Sequence, residues 1–275
     1  MGFDQEKARA KKERLIQRLQ GLNGLLVAFS GGLDSTFLLA AAHDVLGHGV
    51  LAATAKGALY PSYEVQDAVA FAREKGIDHV VFPFQVMEVP EVVSNPPDRC
   101  YHCKKALFKT LLDIAREKGL NHIAHGANVD DLGDYRPGSR AAKEMAVLAP
   151  LVDAGLGKEE IRFLSKEMGL STWDKASMAC LASRIPYGDA ITQEKLRMIE
   201  EAERFLAECG LKQFRVRHHG DVARIEVNPA DMGRLIDVDL RRKIVDQCRK
   251  IGFVHVSLDL EGYVTGSLNR ALEIE

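Results

Sequence analysis

The run Ser30-Gly31-Gly32-Leu33-Asp34-Ser35 sets two hydroxyls, two glycines and a carboxylate directly after the apolar stretch Leu25–Phe29 and directly before a helical pattern. That spacing suits a phosphate. Glycines let the backbone turn tightly and approach a ligand, and the unpaired N–H groups of the following helix present partial positive charge. Ser30 and Ser35 add hydroxyl donors; Asp34 could cap the helix or help place a magnesium ion. Neither the nucleotide pattern G-x-x-x-x-G-K-[ST] nor a G-x-G-x-x-G after this strand is present.

Sulfur supplies the second chemistry. Cys100-Tyr101-His102-Cys103 follows Asn95-Pro96-Pro97-Asp98-Arg99, so the pair stands where a proline loop becomes a helix. A helix N-terminus with Arg99, Lys104 and Lys105 nearby favours thiolates. Two cysteines at this spacing supply only half of a tetrahedral site, so further ligands must come from a distance. Cys180, in the loop-like stretch 176–188 with Arg184 four residues on, is the candidate. A zinc site, a redox dithiol and, for Cys180, an inert buried thiol are the competing readings. Cys209 and Cys248 fall within helical periods, where cysteine is usually a small apolar residue.

Charged residues complete the set. Asp130, Asp131, Asp134 and Arg136 follow the fourth predicted strand, where ligands of a parallel sheet bind, and suit magnesium or phosphate as well as a solvated loop. Arg217 and Arg224 lie on predicted strands beside Glu226, where arginines could clamp a phosphate or carboxylate or simply face water. His218 and His219 point to opposite faces of a strand and make a poor joint site.

The elements that must hold these groups alternate. Strands are predicted at Leu25–Ser30, Val50–Ala55, His79–Phe84 and His122–Gly126, with helices at 35–46, 62–75, 103–118 and 158–168, a pattern that specifies an α/β fold with a parallel sheet. The pattern then changes. A long helix over 192–209, a hairpin 214–218/223–227 turning at Gly220-Asp221, helices near 229–236 and 240–251, and a final strand pair 254–258/263–265 predict a second, smaller α+β domain. The expected division is 1–186 and 187–275.

Lys plus Arg number 37 against 39 Asp plus Glu, a net charge of −2 without the basic excess of a strong nucleic-acid binder. No segment reaches the ~20 apolar residues that span a bilayer, and the charged amphipathic start lacks a signal core. A cytoplasmic location is expected. Five cysteines, an odd number, read there as thiols or metal ligands.

The Ser30–Ser35 pattern resembles the PP-loop of the ATP pyrophosphatase superfamily (adenine nucleotide alpha hydrolase-like). Taken with Arg99–Lys104, the stretch 126–138, the Cys180 loop and Arg215–Val227, the chain is similar over nearly its whole length to the LarE family of ATP-dependent sulfur insertases. The resemblance implies ATP and magnesium as cofactors, with Ser30, Gly31, Gly32, Asp34, Ser35, Gly126, Asp130 and Arg136 at ATP and pyrophosphate, and Arg184, Arg217, Arg224 and Glu226 at the substrate. That substrate would be a pyridinium dicarboxylate mononucleotide, adenylated with release of pyrophosphate and converted to a thiocarboxylate. One branch of the family takes sulfur from the cysteine matching Cys180; the other holds a 4Fe-4S cluster on three cysteines, which Cys100, Cys103 and Cys180 match. It further implies a homo-oligomer, with a hexamer as the candidate form; the charge balance and the lack of an apolar span predict neither nucleic-acid nor membrane partners. A tRNA thiolase, an ammonia-using synthetase and a zinc- or nucleotide-binding module remain as alternatives.

Overall fold

A computed structural model describes residues 3–133, 137–176 and 179–272. By contact the chain groups into two compact units, Met1–Val86 with Cys100–Met178, and Met87–Arg99 with Ala179–Glu275. The sequence pattern suggested one cut after residue 186. Asn95 is the reason for the difference: it adopts φ 57° and is fully buried, and its side-chain amide donates to the carbonyls of Pro186 and Asp189 at 2.6 and 2.9 Å. Its own carbonyl accepts from Gly188 N–H at 3.0 Å, and its side-chain oxygen accepts from Arg99, whose guanidinium lies 4.9 Å from the Tyr187 ring centre. Segment 87–99 is thereby fixed to the loop 185–189.

The first unit is built on a parallel sheet of four strands among the described residues, in the order β3-β2-β1-β4, with β1 Leu25–Ala28, β2 Val50–Lys56, β3 Asp78–Pro83 and β4 Ile123–His125. It is an α/β fold, as the alternation of elements predicts. Leu26 of β1 pairs with Leu51 on one side and Ile123 on the other, so β1 is buried by both neighbours and reads as a continuous apolar run. The helix Leu33–Leu46 is apolar around most of its circumference, and Phe37, Leu38, Leu39 and Ala42 are all enclosed. Helices Gln5–Gln20 and Lys158–Glu167 pack on it through Leu15, Leu19, Ile161 and Leu164.

In the second unit, β5 Phe214–His219 and β6 Val222–Val227 form the expected antiparallel hairpin, with Gly220 at φ 58° in its two-residue turn. β7 His255–Leu258 pairs parallel with β6. Residues 263–265, expected as the partner of that last strand, instead run as a loop in which the Tyr263 N–H donates to the Val227 carbonyl at 2.8 Å. Helices Gln193–Glu208 and Val238–Ile251 close the apolar core over Val216, Ile225 and Val227. Cys248 lies within it, and burial pushes its thiol up to about 11. Among the described residues no helix is long and apolar enough to cross a membrane.

Candidate active site

β1 delivers the chain to Ser30 at the carboxyl edge of the sheet, and the turn that follows is shaped by its neighbours. Gly31 has φ 71°, and a Cβ there would stand 3.3 Å from Cβ of Ala68 on the helix Ser62–Glu74. Gly32, rather than Asp34, is the N-cap of the helix Leu33–Leu46 and brings no side chain to its first amides. Those amides remain available to an anion. The hydroxyls of Ser30 and Ser35 stand 3.1 Å apart, and Ser35 donates to the Gly32 carbonyl.

This turn forms one wall of a cavity of about 350 Å³, lined also by Lys104, His125, Gly126, Asp131, Lys158 and Lys175. Gly126 is there for lack of space: a Cβ would lie 2.8 Å from the Ser35 backbone nitrogen. Asp34 projects from the first helical turn with Oδ1 enclosed and lacking a hydrogen-bond donor. Burial raises its carboxyl above the usual range, while Lys158 and a hydrogen bond from Asn128 oppose this and Asp131 adds to it. An enclosed carboxylate oxygen without a donor, facing lysines and an anion cradle, fits a magnesium ligand. Lysines at three corners supply the positive field for a polyphosphate.

His125 is enclosed at the end of β4, with the Phe108 ring 5.7 Å away. Burial and then the charge of Lys104 drive its imidazole down to about 3. It is neutral in the folded chain but gains a proton on unfolding below its ordinary value, so stability falls as pH drops from about 6.5 towards 3. Between pH 7 and pH 5 this group alone removes about 2 kcal/mol. Urea midpoints at the two pH values, measured beside His125→Phe, should show a smaller acid loss in the variant.

Several expected site residues have other partners. Asp130 is exposed, and its carboxylate accepts from Lys158 N–H at 2.7 Å, capping the helix Lys158–Glu167; the neighbouring Asp131 is the one that lines the cavity. Asp134 and Arg136 lie outside the described residues. Arg184 is fully enclosed and forms a bidentate pair with Glu203 at 2.8 and 2.9 Å, while also donating to the Cys180 carbonyl at 3.1 Å. It shapes the Cys180 turn from within. Arg217 forms a second bidentate pair, with Glu226, and Arg224 reaches the same carboxylate at 2.9 Å. Their strand register explains this, since Arg217 stands opposite Arg224 and Arg215 opposite Glu226 on one face of the hairpin. Three guanidiniums, those of Arg184, Arg217 and Arg224, thus share the carboxylates of Glu203, Glu226 and Asp259, while Arg215 donates to the Phe214 carbonyl and stacks 4.8 Å from the Tyr263 ring centre.

Cys100 and Cys103 lie three residues apart at the start of the helix Arg99–Glu117, and Cys180 precedes the 3-10 turn Leu181–Arg184; all three are of intermediate exposure. Among the described residues, neither unit alone brings together three His, Cys, Asp or Glu side chains suited to a metal ion. Sequence reasoning did not assign Lys158, Lys175 or His125 to the site. Their signal is weak, because each reaches the cavity from a different and distant part of the chain.

The fold and the cradle define a PP-loop α/β enzyme. No family model matches the chain. It is 42% identical over 264 residues to the uncharacterized protein slr1717 of Synechocystis sp., covering 96% of this chain and 98% of that one. It is 35% identical over 263 residues to the pyridinium-3,5-bisthiocarboxylic acid mononucleotide synthase of Lactiplantibacillus plantarum, covering 95% of each. A tRNA-specific 2-thiouridylase, MnmA of Rickettsia africae, is 28% identical over 190 residues, 55% of this chain and 51% of that protein. The chain belongs to the LarE family of pyridinium-3,5-bisthiocarboxylic acid mononucleotide synthases.

Proposed function

We propose that this enzyme transfers sulfur in cofactor biosynthesis, converting a carboxylate of a pyridinium dicarboxylate mononucleotide into a thiocarboxylate at the expense of ATP. The observation that carries this is the cavity in which the Ser30–Ser35 turn, the enclosed Asp34 oxygen and Lys104, Lys158 and Lys175 converge. An apolar slot of about 80 Å³ beside Ser30, lined by Phe29, Ala53, Ala55, Tyr60 and Val65, suits the flat face of adenine. A substrate carboxylate oxygen bonds to the α phosphorus as the bridge to the β phosphate breaks, and the amides and lysines take up charge on departing pyrophosphate. Asp34 would hold magnesium, which neutralises phosphate charge when bound.

Sulfur then replaces AMP at the acyl carbon. Cys100 and Cys103, three residues apart on one helix, would supply two ligands of a 4Fe-4S cluster and Cys180 the third. Such a cluster would supply the sulfide that replaces AMP. Without it, the Cys180 thiolate itself bonds to the acyl carbon and expels AMP; loss of its Cα proton and cleavage of its Cβ–S bond leave the thiocarboxylate and dehydroalanine. The surplus of arginine around Glu203 and Glu226 gives the substrate's phosphate a positive field, with Arg224, 38% exposed, as the accessible member.

Incubation with MgATP and the dicarboxylate nucleotide, followed by mass spectrometry of both product and protein, tests this. Expected are AMP, pyrophosphate and a product with oxygen exchanged for sulfur. Unchanged protein mass supports the cluster and loss of one hydrogen sulfide supports Cys180 as donor. Absence of substrate-dependent AMP formation refutes the assignment.

A further inference from the structure

The Lys175 ammonium donates to the Gly31 carbonyl at 3.2 Å and to the Asp67 carboxylate at 3.0 Å, and the same side chain lines the cradle cavity. Its backbone is held still: Arg162 donates to the carbonyls of Trp173 and Lys175 at 2.7 and 2.9 Å. Movement is therefore left to the four-carbon stem. Asp67 lies on the helix Ser62–Glu74, one residue before Ala68, which supports Gly31, and its side chain is 59% exposed. Such an open ion pair is weak, shifting an equilibrium by about fivefold at most. A polyphosphate in the cavity offers several anionic oxygens against this single screened carboxylate.

We propose that Asp67 is a positioning residue that competes with polyphosphate for Lys175. With the cavity empty, Asp67 and the Gly31 carbonyl hold the ammonium at the rim; when ATP or pyrophosphate enters, the ammonium moves to a phosphate oxygen, and Asp67 recaptures it as pyrophosphate departs. Asp67 thus weakens the grip on the leaving product. The inference rests on the cradle binding polyphosphate, as proposed above.

Calorimetric titration of the full chain with magnesium pyrophosphate tests it. Asp67→Asn, which keeps shape but removes the charge, should bind about threefold more tightly than the parent, whereas Lys175→Met should bind about tenfold more weakly. In the double variant the Asp67→Asn gain should vanish, because on this inference it acts through Lys175. A gain of affinity that depends on a second residue is not what general loosening produces. Unchanged or weaker binding by Asp67→Asn, or a gain that persists without Lys175, overturns the inference while leaving the cradle intact. Failure of the parent chain to bind pyrophosphate at all overturns both.

Discussion

Cys180→Ser is expected to make no thiolated product while still exchanging labelled pyrophosphate into ATP in the presence of the dicarboxylate. On the proposed function, sulfur delivery requires a thiolate at this position, whether as iron ligand or as the atom transferred, and a serine hydroxyl of high pKa serves neither purpose. Adenylation as proposed has no such requirement: its groups would be the Ser30–Ser35 turn, Asp34 and the lysines, which belong to the other unit of the chain. The loss in product formation should therefore reach at least about a thousandfold, with exchange within about twofold of the parent. The turn itself should survive, because Arg184 grips the backbone carbonyls of Ala179 and Cys180 rather than the thiol. Loss of exchange together with thiolation would mean that Cys180 serves the adenylating cavity directly, and would refute the division of labour.

Gly126→Ala should strike the opposite half-reaction. The added Cβ would stand 2.8 Å from the Ser35 nitrogen, 3.0 Å from the Ser35 Cα and 3.1 Å from the Asp34 carbonyl carbon. All three are backbone atoms, so no side chain can swing aside. The first turn of the helix Leu33–Leu46 must move away from the end of β4, carrying with it the amides proposed to receive pyrophosphate. Overpacking of this kind costs about 1–3 kcal/mol of stability. Misplaced anion donors cost about a hundredfold or more in rate. Gly133→Ala is the control, since among the described residues nothing lies within 4 Å of the point its methyl would occupy, and its φ is not positive. Pyrophosphate exchange and melting of both variants decide the matter: equal rates would show that the cradle tolerates the displacement.

Much of the first unit was legible from its sequence because one cause fixed each element. Leu25–Ala28 is apolar throughout because β2 and β4 flank it, and Gly31 is required by its positive φ and the nearness of Ala68. The cavity was only half legible. The Ser30–Ser35 turn announces itself locally, whereas Lys158 begins an ordinary amphipathic helix and Lys175 sits in an irregular loop; tertiary folding alone brings them to one place. Asp130 shows the converse, an acidic residue at a sheet edge whose carboxylate is taken up by the first amide of a neighbouring helix. Arginines 184 and 217 follow the same logic. Charge in a sequence suggests exposure, and the bidentate carboxylates that allow these two to be buried lie 19 and 9 residues away.

The lodging of segment 87–99 beside loop 185–189 imposes an order on biosynthesis. Residues 87–99 leave the ribosome well before Ile185, Pro186 and Asp189, and until those carbonyls emerge the Asn95 amide has no native acceptors and its left-handed backbone no compensation. The smaller unit is thus completed only after the whole of the larger one has been synthesised. A fragment starting at residue 179 would lack Asn95, leaving those carbonyls to water, so splitting the chain there and mixing the two pieces would be a demanding trial of whether the halves can find each other.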